Sequence, residues 1–451
     1  MKKAALHNLG CKVNAYETEA MQEMLEQAGY EIVPFKEGAD VYVINTCTVT
    51  NIADRKSRQM LHRARKMNPE AVVVAAGCYV QAKGGQEADP CIDIVIGNNH
   101  KKDLVRILKE YEENREKDRA GGNGRERAGA RAAGEIGDIN RTKEYESLHL
   151  TRTGEHTRAY IKVQDGCNQF CTYCIIPYAR GRVRSREMQD VVREVRTLAD
   201  NGYQEVVLTG IHLSSYGIDF DGQRHLSDLI RAVHEIEGIR RIRLGSLEPG
   251  IVTEEFAGTL AAMPKICPHF HLSLQSGCDA TLKRMNRRYT SEEYYEKCRI
   301  LRKYFDDPAL TTDVIVGFPG ETEEEFETTA AFLEKVHFFE MHVFKYSVRK
   351  GTVAASMKDQ VSEQVKNERS ARLIEMEQRL SREYRAQYIG KEITVLTEDC
   401  AQLAEESWRL GHTQTYVKAA VPAALAGRNE LITGCVTGFL TDEILRLEPV
   451  R

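Results

Sequence analysis

The sequence predicts a three-part chain of the α/β class. It has an N-terminal doubly wound α/β domain, a central open partial barrel of six β/α units, and a small all-β barrel at the C-terminus. Apolar runs alternate with segments of helical periodicity over residues 1–112 and again over 158–380, which favours parallel sheets. After Gly390 the apolar runs become short and rich in β-branched residues. The 451 residues are enough for two to four domains.

The N-terminal part places a cysteine after each of three predicted strands. The strands cover residues 3–8, 41–44 and 71–76, and helical stretches at 14–28 and 53–67 separate them. The cysteines that follow are Cys11, Cys47 and Cys78. Because the carboxyl ends of parallel strands share one sheet edge, where ligands bind, we expect these thiols to converge.

The central part contains six strand candidates, near residues 158–164, 204–209, 240–245, 269–274, 311–316 and 340–346. Before them the apolar pattern stops, and the run GGNGRERAGARAAGEIGD favours a charged Gly/Arg-rich linker that is at least partly disordered. The predicted divisions are 1–112, a linker over 113–157, a partial barrel over 158–380 and a small barrel over 381–451.

Composition limits the class of protein. With 42% hydrophobic and 29% charged residues the chain is neither wholly disordered nor a membrane protein, and no apolar run approaches the roughly 20 residues of a spanning helix. The net charge of −4 gives no global basic field. No apolar secretory segment begins the chain, so we expect a reducing cytoplasm, where the 12 cysteines are metal ligands or catalytic groups rather than disulfides.

Three cysteines lie within eight residues directly after the first strand of the central part. Their spacing is Cys167-x3-Cys171-x2-Cys174. Thiolates suit zinc or iron–sulfur clusters, and a structural zinc site would need a fourth ligand, whereas the next cysteine is Cys267. Three ligands on a cubane cluster would leave one iron open for a substrate. An iron–sulfur site is therefore favoured, with zinc as the alternative.

This segment resembles the radical S-adenosylmethionine enzymes, which carry three cysteines at this spacing and an aromatic residue before the last, here Tyr173. The resemblance implies that the three thiols hold a [4Fe-4S] cluster. The open iron of that cluster would chelate the methionine moiety of S-adenosylmethionine, and Tyr173 would lie beside the adenine.

The N-terminal cysteines carry a second resemblance. Leu9-Gly-Cys-Lys-Val-Asn14, Asn45-Thr-Cys-Thr-Val49 and Ala76-Gly-Cys78 look like the N-terminal domain of the methylthiotransferases, a radical S-adenosylmethionine family that ends in a TRAM domain. The family's order of parts covers nearly the whole chain. It implies a second [4Fe-4S] cluster on Cys11, Cys47 and Cys78 that presents the sulfur. A fourth thiolate from Cys91 would close that cluster, so we expect Cys91 to be excluded.

The residues after Cys11 resemble one branch of the family. The run Cys-Lys-Val-Asn is similar to the enzymes that methylthiolate N6-threonylcarbamoyladenosine beside the tRNA anticodon, although Lys12 and Asn14 could simply shape the loop. The resemblance implies homolytic removal of the C2 hydrogen, sulfur insertion and S-methylation, with S-adenosylmethionine as radical precursor and methyl donor. The implied partners are the tRNA anticodon loop, an external electron donor and a sulfur donor, with no DNA and no membrane.

Polar residues follow several strands of the predicted partial barrel, where functional groups are expected. In the resembling family these positions contribute to the S-adenosylmethionine pocket, although each could instead cap a helix or hold a turn. They are Thr209, Gly210, Glu248, Gln275 and Asp313.

Basic residues suggest where RNA would bind. Arginines alternate directly after the cysteine loop, at Arg180, Arg182, Arg184 and Arg186, and either contact phosphates or form salt bridges within a strand. The C-terminal module adds Lys418. Residues 361–451 carry 12 Lys and Arg against 14 Asp and Glu, so stacking and shape are favoured there over electrostatic attraction.

Three alternatives stay open on the sequence. The same chemistry could act on isopentenyladenosine in tRNA or on an aspartate of a ribosomal protein. A third possibility is a non-enzymatic RNA-binding protein with a structural metal.

Overall fold

The computed structural model describes residues 1–84, 89–120, 133–154, 157–222, 225–403 and 405–450. Over these ranges no helix is both long enough and apolar enough to cross a membrane.

The N-terminal domain is a six-stranded parallel sheet in the order β2-β1-β3-β4-β5-β6. Helices α1 and α4 cover one face of the sheet, and α2 and α3 cover the other. The first five strands follow the order of a doubly wound fold. The elements are β1 Lys3–Asn8, α1 Lys12–Gln27, β2 Glu31–Ile32, β3 Val41–Thr46, α2 Asn51–Met67, β4 Val72–Gly77, α3 Cys78–Ala82, β5 Ile94–Ile96, α4 Leu104–Ala120 and β6 Ala133–Glu135.

The structure differs from the predicted linker at both of its ends. Helix α4 continues to Ala120, and β6 joins the edge of the sheet. Further along, Leu148 and Leu150 are buried against Tyr16 of α1. These apolar residues are too sparse to give a period, and their partner is more than 100 positions away in the sequence. Residues 121–132 of the predicted linker lie outside the described residues.

The central domain arranges six parallel strands in chain order, β7-β9-β10 and β11-β12-β13, and a parallel bridge between Leu247 and Leu272 joins the two sets. The short strand β8 pairs antiparallel with β7. The elements are β7 Ala159–Asp165, α5 Ile176–Arg180, β8 Arg184–Ser185, α6 Met188–Asp200, β9 Glu205–Gly210, α7 Leu226–His234, β10 Arg241–Leu244, α8 Glu254–Ala261, β11 His269–His271, α9 Asp279–Arg284, α10 Ser291–Tyr304, β12 Ala309–Val316, α11 Glu323–Val336, β13 Glu340–Lys345 and α12 Glu363–Ala386.

Successive residues of these strands point to opposite sides, so each strand contributes one set of side chains to the apolar core under the helices. The other set points into the interior of the open barrel, which we call the lumen.

The C-terminal domain is a closed barrel of five strands in the order β14-β15-β16-β18-β17. Arginines of β10 make several of its contacts with the central domain, and Arg158 and Gln204 add others. Arg241 donates a hydrogen bond to the carbonyl of His412 at 2.8 Å, and Arg243 donates to that of Gln414 at 2.9 Å. The strands are β14 Glu392–Leu403, β15 Glu406–His412, β16 Lys418–Pro422, β17 Leu431–Phe439 and β18 Leu445–Pro449.

A fully buried cluster of charges joins the N-terminal and central domains. Glu17 of α1 accepts from Lys162 of β7 at 2.8 Å, from Lys101 at 3.1 Å and from Arg180 of α5 at 3.0 Å. Lys162 also pairs with Asp165 at 2.7 Å. Burial alone would raise the pKa of Glu17, but the three cations hold it well below its usual value. Glu17 is thus the anion on which this interface depends.

We expect Glu17→Ala to lower the free energy of unfolding by about 3–5 kcal/mol, because it removes the carboxylate that three buried cations share. Urea-induced unfolding measures this change. As a control, Glu110→Ala removes an exposed pair with Arg106 and is expected to cost no more than about 0.5 kcal/mol. Equal effects of the two substitutions would contradict the assigned role of Glu17.

Candidate active site at two three-cysteine loops

The first set of thiols lies at the carboxyl edge of the N-terminal sheet. Cys11 precedes α1, Cys47 follows β3, and Cys78 is the first residue of α3 after β4. Because β1, β3 and β4 are adjacent in the sheet, the three thiols converge as expected. Gly10 adopts a φ of +114°, and a Cβ there would lie 3.1 Å from the Cys47 Sγ, so the approach of the loops favours glycine.

The three thiols of this first set differ in burial and in hydrogen bonding. Cys47 and Cys78 are buried, whereas Cys11 is exposed. Burial, together with the neighbouring Cys78 and Cys11 thiols, raises the pKa of Cys47 to about 12. The Cys78 Sγ accepts hydrogen bonds from the Nε of Arg180 at 3.1 Å and the Nδ2 of Asn98 at 3.6 Å. The set is therefore accessible on the side of Cys11 and held by donors on the side of Cys78.

The second set occupies the loop after β7. The Cys167 amide donates to the carbonyl of Gly181 at 3.0 Å, and the Cys174 amide donates to the carbonyl of Cys171 at 3.0 Å. Burial is the main cause that raises the pKa of Cys167 to about 11 and of Cys174 to about 12, and the Cys171 thiol adds to both shifts. The Nη1 of Arg287 donates to the Cys171 Sγ at 3.4 Å.

The donor sets fit iron–sulfur clusters. Each has three soft thiols, and one arginine, Arg180 or Arg287, donates to a sulfur of each set, which suits the negative charge of a thiolate-bound cluster. Cys91 instead groups with His62 and Asp89. That placement agrees with its expected exclusion from the first set.

The two sets lie on either side of one short helix. Cys174 lies two residues before α5, and Arg180 at the end of α5 contacts Cys78. The five residues of α5 span about 8 Å. Both sets therefore face the junction between the N-terminal and central domains.

The expected S-adenosylmethionine residues lie around the second set. Glu248 accepts from Arg287 at 2.9 Å and lies 3.7 Å from the Nε2 of His212. Burial would raise the pKa of Glu248, but these two neighbours lower it below its usual value. Arg287 donates to both Glu248 and the Cys171 Sγ, which places the carboxylate near the second set. Glu248 is therefore an anion at neutral pH.

Contacts differ among the other residues that were predicted to bind S-adenosylmethionine. Gln275 adopts a φ of +72°, and its amide donates to the carbonyl of Asp313 at 2.9 Å. The ring of Tyr173 contacts Phe318 edge to face at 6.4 Å between centroids. Thr209 is buried, and the open side of Gly210 faces the side chain of Gln164 rather than free space.

Three of the four arginines expected at RNA are buried, and the expectation that they contact phosphates is wrong for this fold. Arg180 binds Glu17, Arg186 pairs with Glu194, and the Nη1 of Arg184 donates to the carbonyl of Arg180. Glu17 lies on α1, 163 positions from Arg180, so a local sequence pattern could not reveal it, whereas Glu194 lies on α6 only eight positions after Arg186.

Arg182 alone of these four is exposed, and its guanidinium lies 4.4 Å from the ring centroid of Phe170. Lys418, at the start of β16, is half-buried.

Sequence analysis did not predict that Arg287 and Asn98 lie beside thiols, or that His212 lies beside Glu248. Arg287 stands in the run Met-Asn-Arg-Arg-Tyr-Thr, where a pair of arginines could only suggest a basic patch. Its two contacts, to Cys171 and to Glu248, arise because this loop packs on the cysteine loop.

Two family models match this chain. A family model described as the radical SAM superfamily matches residues 161–333, and one described as uncharacterized protein family UPF0004 matches residues 3–97. The radical S-adenosylmethionine methyltransferase TsrM from Kitasatospora setae has a similar fold. Its TM-score is 0.55 at 17% identity, covering 76% of this chain and 73% of that one.

The sequence relatives are more similar. The threonylcarbamoyladenosine tRNA methylthiotransferase MtaB of Bacillus subtilis is 43% identical over 93% of this chain and 90% of its own, and that of Aquifex aeolicus is 42% identical over 90% and 95%. A tRNA-2-methylthio-N(6)-dimethylallyladenosine synthase of Thermoanaerobacter is 38% identical over 87% and 81%. With two sets of three thiols at one domain junction and relatives this similar over nearly the whole chain, the protein belongs to the radical S-adenosylmethionine methylthiotransferase family.

Proposed function

We propose that the protein is a tRNA methylthiotransferase that converts N6-threonylcarbamoyladenosine next to the anticodon into its 2-methylthio form. The observation that carries the proposal is the pair of three-thiol sets on the two sides of α5. Two relatives named for the threonylcarbamoyl substrate are 42–43% identical, against 38% for the relative named for the dimethylallyl substrate, and this favours the first branch.

Six cysteines would hold the cofactors. Cys167, Cys171 and Cys174 would bind one [4Fe-4S] cluster with S-adenosylmethionine, and Cys11, Cys47 and Cys78 would bind a second. When bound, these groups would supply the homolytic chemistry, the sulfur and the methyl group needed to replace an unactivated aromatic hydrogen. The chain's own residues position the reactants and exclude water.

Four residues around the second set would bind S-adenosylmethionine. Glu248, an anion held by Arg287, suits the ammonium or ribose hydroxyls of S-adenosylmethionine. Tyr173 would contact the adenine, and Gln275 and Thr209 would contribute polar contacts. Gly210, which faces Gln164, has a structural role in this proposal rather than a binding role.

The proposal also includes three kinds of partner: tRNA, an electron donor and a sulfur donor. The closed C-terminal barrel would be a TRAM domain that contacts tRNA through Lys418 and its neighbours. An external electron donor and a sulfur donor would serve the two clusters. The location would be cytoplasmic, where tRNA is modified.

The test is mass spectrometry of tRNA nucleosides from cells with and without the gene. Loss of 2-methylthio-N6-threonylcarbamoyladenosine alone, restored by the wild-type gene and not by a Cys11→Ala, Cys47→Ala, Cys78→Ala variant, is expected. Loss of the dimethylallyl product or of a ribosomal-protein modification would assign another substrate. Anaerobically reconstituted protein is expected to hold about eight irons and the triple variant about four. Zinc in place of iron would contradict the enzymatic proposal.

Arg180→Gln removes a cation and a donor from Cys78, so we expect it to lower the reduction potential of the N-terminal cluster by tens of millivolts. Redox titration followed by electron paramagnetic resonance measures this change. Asn98→Ala, which removes the longer hydrogen bond, should give a smaller shift of the same sign. Arg182→Gln, two residues away and exposed, is the control. A shift equal to that of Arg182→Gln would refute the assigned contact.

The half-buried Phe170 and the exposed Tyr178 and Arg182 form a group that borders the second cysteine loop. Arg182 lies over Phe170, and Tyr178 contacts Phe170 edge to face at 5.9 Å. Aromatic and guanidinium faces of this kind stack on unpaired bases.

We expect Phe170→Ala to weaken binding of an anticodon stem-loop about tenfold, as loss of one stacked base would. Fluorescence anisotropy at fixed salt measures the affinity. Arg193→Ala on α6, where the arginine is exposed and pairs with Asp190, should leave binding unchanged. Unaltered affinity in Phe170→Ala with intact clusters would show that this group does not contact RNA.

A further inference from the structure

A polar cluster with no assigned role lies in the lumen of the central domain. His271, Asp313 and His342 are contributed by the adjacent strands β11, β12 and β13. The residues next to them along these strands, such as Phe270 and Val314, point into the apolar core. The period of two therefore directs the three polar side chains into the lumen.

An ion pair, a hydrogen bond and ring stacking order the side chains of this cluster. The Nε2 of His271 lies 3.4 Å from the Oδ2 of Asp313, and the Nδ1 of His271 lies 3.0 Å from the Oγ1 of Thr311. The His271 and His342 rings are stacked at 5.8 Å. Asp313 and Thr311 thus fix the orientation of His271. His342 is exposed and free to meet a ligand.

The cluster is next to the proposed S-adenosylmethionine pocket. The backbone of Asp313 accepts the amide of Gln275, and Gln275 forms a parallel bridge with Val314. A substrate whose reacting atom lies near the second cysteine set would therefore place a side group in the lumen, near His342.

Lys12 adds a cation to this region from the N-terminal domain. It is the first residue of α1, directly after Cys11, and its side chain is exposed. Helix α1 packs against β7 and β9 of the central domain. Loss of hydration among the surrounding protein atoms is the main cause that lowers the pKa of both Lys12 and His342. The Asp313 carboxylate opposes the shift at Lys12, and the charge of Lys12 adds to the shift at His342. Over the described residues Lys12 has no ion-pair or hydrogen-bond partner.

With Lys12, four cations in this region stand against three carboxylates, the third being Asp313, so the region carries a net positive charge. Arg158, Arg241 and Arg243 share two carboxylates, those of Glu205 and Glu398. An apolar side group gains nothing from this field, whereas an anionic group is attracted by an uncompensated lysine. The two substrates named for the relatives differ in this respect, because the threonylcarbamoyl group carries a carboxylate and a hydroxyl and the dimethylallyl group carries neither.

We propose that Lys12, His342 and His271 form the subsite that binds the threonyl part of the substrate, with Lys12 paired to its carboxylate and His342 donating a hydrogen bond to it. Asp313 and Thr311 act as positioning residues for His271. This inference rests on the proposed function and adds to it the residues that select an anionic N6 group over an apolar one.

The test compares anticodon stem-loops that differ in one charge. One carries N6-threonylcarbamoyladenosine, the second its methyl ester, and the third dimethylallyladenosine. For reconstituted wild-type enzyme we expect the acid to bind at least about tenfold more tightly than the ester, the effect of one charge-assisted hydrogen bond. Lys12→Met and His342→Phe should each bring the acid-to-ester ratio of dissociation constants to within about threefold of one.

Two controls separate this effect from general damage. Lys109→Met changes an exposed lysine of α4 and should keep the wild-type ratio. Iron and sulfide contents are measured in every variant, because Lys12 adjoins Cys11. His342→Phe lies in another domain and tests the subsite independently of the N-terminal cluster.

The outcomes distinguish the two levels of the proposal. If wild-type enzyme forms no 2-methylthio product from the acid stem-loop, the proposed function fails. If it forms product but both variants keep the wild-type ratio, the subsite is refuted while the function stands. Stoichiometric Zn²⁺ binding that His342→Phe abolishes, with the acid preference intact, would make the cluster a metal site and also overturn the inference.

Discussion

The arrangement of this molecule depends on one buried carboxylate. Glu17 of the N-terminal domain binds Lys162 and Arg180 of the central domain, and all three side chains are shielded from water. A buried charge is tolerated only when it is paired, so this cluster specifies how the domains meet more than it adds net stability. Through Arg180 the same cluster reaches the sulfur of Cys78. The contact that sets the domain orientation is thus also a contact of the candidate active site.

A second contact lies beside the Cys47 loop. Arg349, after β13, donates to Thr48 at 2.7 Å and to Asp54 at 2.9 Å. With the Glu17 cluster this gives the N-terminal domain two polar attachments, one at β7 and one beyond β13, which are near the two ends of the row of central strands. These attachments hold the first cysteine set at the domain junction, together with Lys12, the neighbour of the exposed Cys11. The fold thereby places a sulfur-bearing site over the opening of a partial barrel.

Much of this organisation could be predicted from the sequence. The spacing of Cys167, Cys171 and Cys174 is local, and Cys11, Cys47 and Cys78 recur at the ends of strands, so simple rules detect both sets. The roles of the arginines could not be predicted in this way. Arg180 and Arg186 resemble a basic surface when read locally, yet Arg180 is buried against Glu17, 163 positions away, and Arg186 is buried against Glu194 of the following helix α6. The lumen residues could not be predicted either, because His271 and His342 are 71 positions apart and meet only through the pairing of three parallel strands.

The central claim is that two sites, each with three cysteine ligands, face one cavity close enough to act on the same nucleoside. Pulsed electron paramagnetic resonance of anaerobically reconstituted protein, with both clusters reduced, tests it most directly. The account predicts dipolar coupling that corresponds to a separation within about 20 Å, since one short helix and an arginine side chain span the gap. A single type of cluster, or two clusters with no measurable coupling, would contradict it.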